Sequence, residues 1–123
     1  MPCACGSGKE TVLIYACSGA ANTGLLADQV ARKLARDGEG DMTCLAAIGA
    51  ELSGFIESAR AADRNLVIDG CPVGCGKRAF GNRNLPFTHV LMTSFGVEKG
   101  KTAITGDLID TIAEKVALGR YNG

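Results

Sequence analysis

Apolar residues in this chain fall into short continuous runs that alternate with stretches of helical period. Thr11-Val12-Leu13-Ile14-Tyr15-Ala16 is a run rich in β-formers. Asn65-Leu66-Val67-Ile68-Asp69 and Thr88-His89-Val90-Leu91-Met92-Thr93 are two more. A weaker run extends from Asp41 to Ile48 through Met42, Cys44 and Leu45. Each is too short for a helix and is bounded by Gly, Asn, Asp or Pro, so the pattern predicts four strands. Between them Leu26, Val30 and Leu34 recur every four residues, as do Leu108, Ile112 and Val116. Leu52, Phe55, Ile56 and Ala59 keep the mixed three-and-four spacing of one helical face. Asn22 or Thr23 is expected to cap the first of these helices and Gly38 to end it, with Asp107 and Gly119 in the same roles for the last. A short helix between Cys71 and Asn82, with Pro72 in its first position, completes the set. Residues 81–86 and 96–101 read as loops.

Strands that alternate with helices, and that are apolar on both faces, imply a sheet covered on both sides. The expected architecture is a single-domain α/β fold: a mainly parallel sheet of about four strands flanked by helices, Rossmann-like or flavodoxin-like. The 123 residues suit one domain. The reading assigns residues 11–123 to that domain and residues 1–10 to a flexible arm that carries Cys3 and Cys5.

Charge and composition narrow the function. Lys+Arg and Asp+Glu are 13 each, for no net charge, and no basic run is present. The footprint of a nucleic-acid binder is therefore missing. No stretch reaches the roughly 20 apolar residues that span a bilayer, and the first ten residues do not read as a secretory leader. The expectation is a cytoplasmic protein with neither nucleic acid nor membrane as partner; the sequence names no protein partner. In a reducing compartment the six cysteines point to metal binding or thiol chemistry rather than to a disulfide framework.

Ligands of open α/β sheets bind outside the carboxyl ends of the strands. Cys17 follows the first predicted strand, Cys71 follows the third, and Cys75 stands a few residues on. Three thiols from separate segments are thus expected at one edge. The C-x3-C spacing of Cys71 and Cys75 falls within the range of metal knuckles. Lys77 and Arg78 add positive charge beside them. The strand reading puts Cys44 inside the second strand, as a core residue. Cys17-Ser18-Gly19-Ala20-Ala21-Asn22-Thr23-Gly24 is a small-residue loop that opens a helix, so Ser18, Gly19, Asn22 and Thr23 are candidates to cradle an anion. The loop lacks the lysine of a P-loop and the closing arginine of cysteine phosphatases, and a tight turn with a helix cap is its plainer reading. Asp69 is a candidate for turn hydrogen bonds, for the surroundings of a metal, or for acid–base work. His89, the sole histidine, reads as an ordinary strand residue.

At Ile68-Asp69-Gly70-Cys71-Pro72-Val73-Gly74-Cys75 the sequence resembles the DGC-domain family, whose members are read as zinc-binding proteins. Cys17–Gly24, Cys44-Leu45-Ala46-Ala47-Ile48-Gly49 and Phe95-Gly96-Val97-Glu98-Lys99 are similar to further family blocks, in the same order. The likeness runs from about Thr11 to Lys101. It implies zinc as the cofactor and four ligands, Cys17, Cys44, Cys71 and Cys75, which makes Cys44 a ligand rather than core. The chain departs from the family pattern at Gly76, where Ala is expected, and near Ser94, where an Asp is expected. The resemblance carries no reaction.

The leading expectation is a zinc–thiolate domain with no assigned biochemical role. One alternative is a thiol enzyme in which Cys17 attacks an oxyanion or a disulfide. Another is an iron–sulfur protein, since four cysteines also suit a cluster. A non-catalytic module that delivers metal or senses redox state, motivated by Cys3 and Cys5, is the last. Whether the chain is an enzyme is left open.

Overall fold

Among the described residues, four parallel strands form one sheet in the order β2-β1-β3-β4. They are β1 (Val12–Ala16), β2 (Asp41–Met42), β3 (Arg64–Asp69) and β4 (Thr88–Leu91). The structure is a computed structural model that describes residues 10–119; the expected arm with Cys3 and Cys5 lies outside the described residues, apart from Glu10. The strand order is that of the first four strands of a flavodoxin-like doubly wound sheet, with its switch point between β1 and β3.

Period-two alternation divides the core. Val12, Ile14, Ala16, Leu66 and Ile68 face one side, against α1 (Asn22–Arg36) and α5 (Gly106–Gly119). Tyr15 and Val67 face the other, with Ile48, Ala59 and Phe80 from α2 (Leu45–Gly49), α3 (Ser53–Ala61) and α4 (Cys75–Gly81). Tyr15 meets Phe80 edge to face at 4.8 Å. Both faces of the central strands are covered, which is why they read as unbroken apolar runs.

The helices follow the predicted stripes with some corrections. Leu26, Val30 and Leu34 of α1 and Ile112 and Val116 of α5 are buried as expected. Gly38, at φ +81°, ends α1. The amide of Glu39 reaches Leu34 O and that of Gly38 reaches Ala35 O, the paired bonds of a Schellman motif. On α3 only Ile56 and Ala59 turn inward, while Leu52 and Phe55 are exposed. The expected caps also differ. Ala21 precedes α1 and has no polar side chain to cap it, and the Asn22 side-chain amide is bonded instead to residues 98–102. Thr105, rather than Asp107, accepts an amide at the start of α5, from Leu108 at 3.1 Å.

Two larger corrections bear on function. The second strand ends at Met42, and Leu45–Gly49 is helical. Its apolar run covers one face of a single turn and a half, a pattern too short to separate strand from helix. The helix after β3 begins at Cys75, not at Pro72. Pro72 instead occupies the second position of a turn closed by Gly74 N–H to Cys71 O at 3.1 Å, where its fixed φ is equally at home. Met92 and Thr93, the expected tail of strand four, belong instead to a 3-10 turn over Met92–Phe95.

Candidate functional site

The ends of β1, β2 and β3 each deliver a cysteine to the same edge of the sheet. Cys17 continues β1 by one residue, its amide bonded to Ile68 O at 3.0 Å. Its Sγ accepts the Gly70 amide at 3.2 Å, which ties the end of β1 to the turn after β3. Thr43 prolongs β2 through a bond from its amide to Ile14 O at 2.9 Å, and Cys44 follows as the residue capping α2. Cys71 follows β3, and Cys75 opens α4. All four are free thiols; Cys44 and Cys75 are exposed and the other two half-buried. The early end of β2 therefore moves Cys44 from the expected core to the carboxyl edge.

Cys17, Cys44 and Cys75 line one open cavity of about 830 Å3, with Ser18, Asp28 and Arg32 on its wall. Cys71 is not among the lining residues. It faces Lys99 instead, whose Nζ lies 3.4 Å from its Sγ. Among the described residues no three or more His, Cys, Asp or Glu side chains stand at metal-holding distances. The donors are soft enough for zinc, and they share an edge, but their spacing here is not that of a closed coordination shell.

The triplet Asp69-Gly70-Cys71 has a physical logic. Asp69 is buried and points from β3 into the start of α4. Its carboxylate accepts the amides of Gly76 at 2.8 Å and Lys77 at 3.0 Å, which the short helix leaves without intrahelical partners. His89 Nε2 completes the set at 2.7 Å. Gly70 passes so close to α1 that a Cβ there would lie 2.5 Å from the Thr23 carbonyl. Gly76 is similarly constrained: its Cβ would lie 2.5 Å from Val67 Cγ1 and 3.0 Å from Asp69 Oδ1. With valine at 67, glycine at 76 replaces the alanine expected from the family pattern.

The loop from Cys17 to Gly24 is engaged in architecture. Asn22 donates to Glu98 O at 3.1 Å and Thr102 O at 2.8 Å and accepts the Gly100 amide at 2.7 Å. It therefore clamps the loop that carries Lys99. Thr23 is buried beneath Gly70, and Gly19 packs against Gly24. Of the four candidate anion-binding residues only Ser18 lines the cavity. Its hydroxyl bonds Asp28 Oδ1 at 3.1 Å, and Arg32 Nε donates to Asp28 Oδ2 at 2.8 Å. The bond and charge of Asp28 hold the guanidinium more firmly protonated than usual.

Sequence reasoning missed three pairings. Asp28 and Arg32 stand four apart on a helix, a spacing that favours contact. Asp69 and His89 follow from register: His89 lies opposite Val67, two residues before Asp69, so both project to the same face. Lys99 with Cys71 had no local signal: they stand 28 residues apart, and the loop that carries Lys99 is held by Asn22, 78 residues before Gly100.

A flavodoxin-order sheet with cysteines at its switch point defines the class. A family model, the DGC domain, matches residues 13–116, and the chain belongs to that family. A curated relative, the anaerobic and virulence modulator AnvM of Pseudomonas aeruginosa PAO1, is 33% identical over 88 residues. The aligned part is 71% of this chain and 67% of that protein. No solved structure matches the chain significantly. Among the described residues no helix is long and apolar enough to cross a membrane.

Proposed function

We propose that the carboxyl edge of the sheet is a zinc–thiolate site held by Cys17, Cys44, Cys71 and Cys75, with Asp69 behind it. The observation that carries the reading is the arrival of four free thiols at one edge from the ends of β1, β2 and β3. The donor set suits a soft divalent metal. Four thiolates around one zinc leave an excess negative charge, and the Lys99 ammonium beside Cys71 is placed to offset it. Asp69 acts indirectly, by fixing the start of α4 from which Cys75 projects. A cytoplasmic setting, where thiols stay reduced, goes with this reading, as does a metal ion rather than nucleic acid or membrane as the partner. The relative's name describes a modulator, and a metal site without an assigned reaction suits a regulatory role here.

The test is elemental analysis of protein purified anaerobically, with a count of free thiols. One zinc per chain with four thiols protected is expected, and Cys71→Ala should lose tight binding. Wild-type stoichiometry and affinity in Cys71→Ala would end the proposal.

A second reading is thiol chemistry at Cys17. It is favoured by the Gly70 amide fixed against that sulfur and by the cavity in front of it. Fast alkylation of Cys17 in the folded, metal-free protein supports it, and uniformly slow alkylation removes it.

A further inference from the structure

The cavity at the sheet edge is larger than a metal ion requires. At about 830 Å3 it lies in the range of small-molecule sites. Its wall carries one acid and one base side by side, Asp28 and Arg32. Arg32 Nε and Gln29 Nε2 donate to Asp28 Oδ2, and the Ser18 hydroxyl donates to Oδ1. That leaves the two terminal guanidinium nitrogens of Arg32 as a fork suited to a ligand carboxylate. An adjacent carboxylate and guanidinium form a dipolar patch without net charge. Such a patch favours a ligand that carries both an ammonium and a carboxylate over one that carries either alone. Ser18 links this patch to Cys17, its neighbour in the chain. Met42, Leu45 and Ala79 supply apolar wall.

We propose that this cavity binds zwitterionic aminothiols as their disulfides, and that Cys17 exchanges with them. The inference deepens the thiol reading of Cys17 and rests on it. The ligand carboxylate pairs with the terminal nitrogens of Arg32 and its ammonium with the remaining lone pair of Asp28 Oδ1, which brings the ligand's disulfide to the Cys17 sulfur. In the step, the Cys17 thiolate attacks one sulfur of the ligand disulfide. A new S–S bond forms between Cys17 and one half, the old S–S bond breaks, and the other half leaves as a thiolate that takes a proton from water. No electrons are gained or lost beyond the exchange of one disulfide for another. Cys75, which lines the same cavity, then attacks the Cys17 sulfur of the mixed disulfide. A Cys17–Cys75 disulfide forms, the bond to the ligand half breaks, and that half leaves as a thiolate that takes a proton from water, so the protein dithiol is oxidised as the ligand disulfide is reduced.

The experiment uses the full chain, reduced and metal-free, and follows modification of Cys17 by peptide mass analysis. Four disulfides are compared: cystine (zwitterionic), cystamine (cationic), dithiodipropionate (anionic) and hydroxyethyl disulfide (neutral). Each rate is divided by that of N-acetylcysteamine, a thiol with no charged group of its own apart from the sulfur, with the same disulfide, which removes differences in intrinsic reactivity. Cystine is expected to lead the other three. Arg32→Met should slow cystine on the order of tenfold, the scale of one charge-assisted contact, and leave the neutral disulfide unchanged. Arg32 is 56% exposed at its side chain, so the variant should fold, which circular dichroism checks. Equal normalised rates for all four disulfides, with Cys17 reactive, overturn the inference and leave the thiol reading standing. A Cys17 that reacts with none of them, and with no neutral alkylating reagent, overturns both.

Discussion

Asp69 places a carboxylate where 1% of its surface meets solvent, and two of its three side-chain bonds hold the segment that carries Cys71 and Cys75. Two amides of α4 and the His89 ring depend on it. Removing the acceptor strands buried donors, which costs more than the bonds themselves contribute. Asp69→Ala is therefore expected to lower stability by about 2–4 kcal/mol in urea unfolding. A loss under half a kcal/mol would show that water replaces the carboxylate fully. Tyr15 gives a second prediction at this scale. Burial pushes its phenol from 10.0 up to about 12. Below pH 10 both folded and unfolded chains hold the proton. Between pH 10 and 12 the unfolded chain releases it while the folded one keeps it, so the unfolded state binds fewer protons and stability falls as pH rises. The loss approaches roughly 2–3 kcal/mol by pH 12. Tyr15→Phe should flatten that slope; an unchanged slope would place the effect elsewhere.

At the scale of elements, close approach governs which residues the turns accept. Gly76 sits under Val67 with no room for a methyl group. Gly76→Ala is expected to cost about 1–3 kcal/mol through overpacking, despite alanine's better helix propensity. Combined with Val67→Ala it should cost clearly less than the two changes summed, a coupling that a double-mutant cycle reads directly. Strict additivity would contradict the contact. Asn22 joins two other elements, the start of α1 and the loop that ends in α5. Asn22→Ala should raise hydrogen exchange at the Gly100 amide by an order of magnitude or so, since that amide loses its acceptor. Unchanged protection would mean that the loop is held by other contacts. The same elements explain what was legible in the sequence. Strands β1 and β3 and helices α1 and α5 were plain because their apolar periods run long enough to be unambiguous. The Asp41–Ile48 run was not, since strand and helix share the same few apolar positions there, and the error carried Cys44 into the core. Pro72 suits a helix start and a turn equally, and nothing local distinguishes them.

At the scale of the whole molecule, sheet order converts sequence positions into a site. Placing β1 beside β3 brings Cys17 to the turn of Cys71, although 53 residues separate Cys17 from its amide partner Gly70. The convergence of Cys17, Cys71 and Cys75 followed from strand ends alone, before any side chain was placed. Cys44 joined them through the family resemblance, and the short β2 supplies the physical route. The Lys99 contact was beyond sequence reasoning because it depends on a loop folded across the edge, and the cavity wall because it is assembled from β1, β2, α1, α2 and α4. The central claim, that these thiols form one zinc site, has a direct test in X-ray absorption at the zinc edge on the metal-loaded chain. The account predicts a first shell of four sulfurs at about 2.3 Å. A shell dominated by nitrogen or oxygen, or zinc bound at less than one equivalent under reducing conditions, would contradict it.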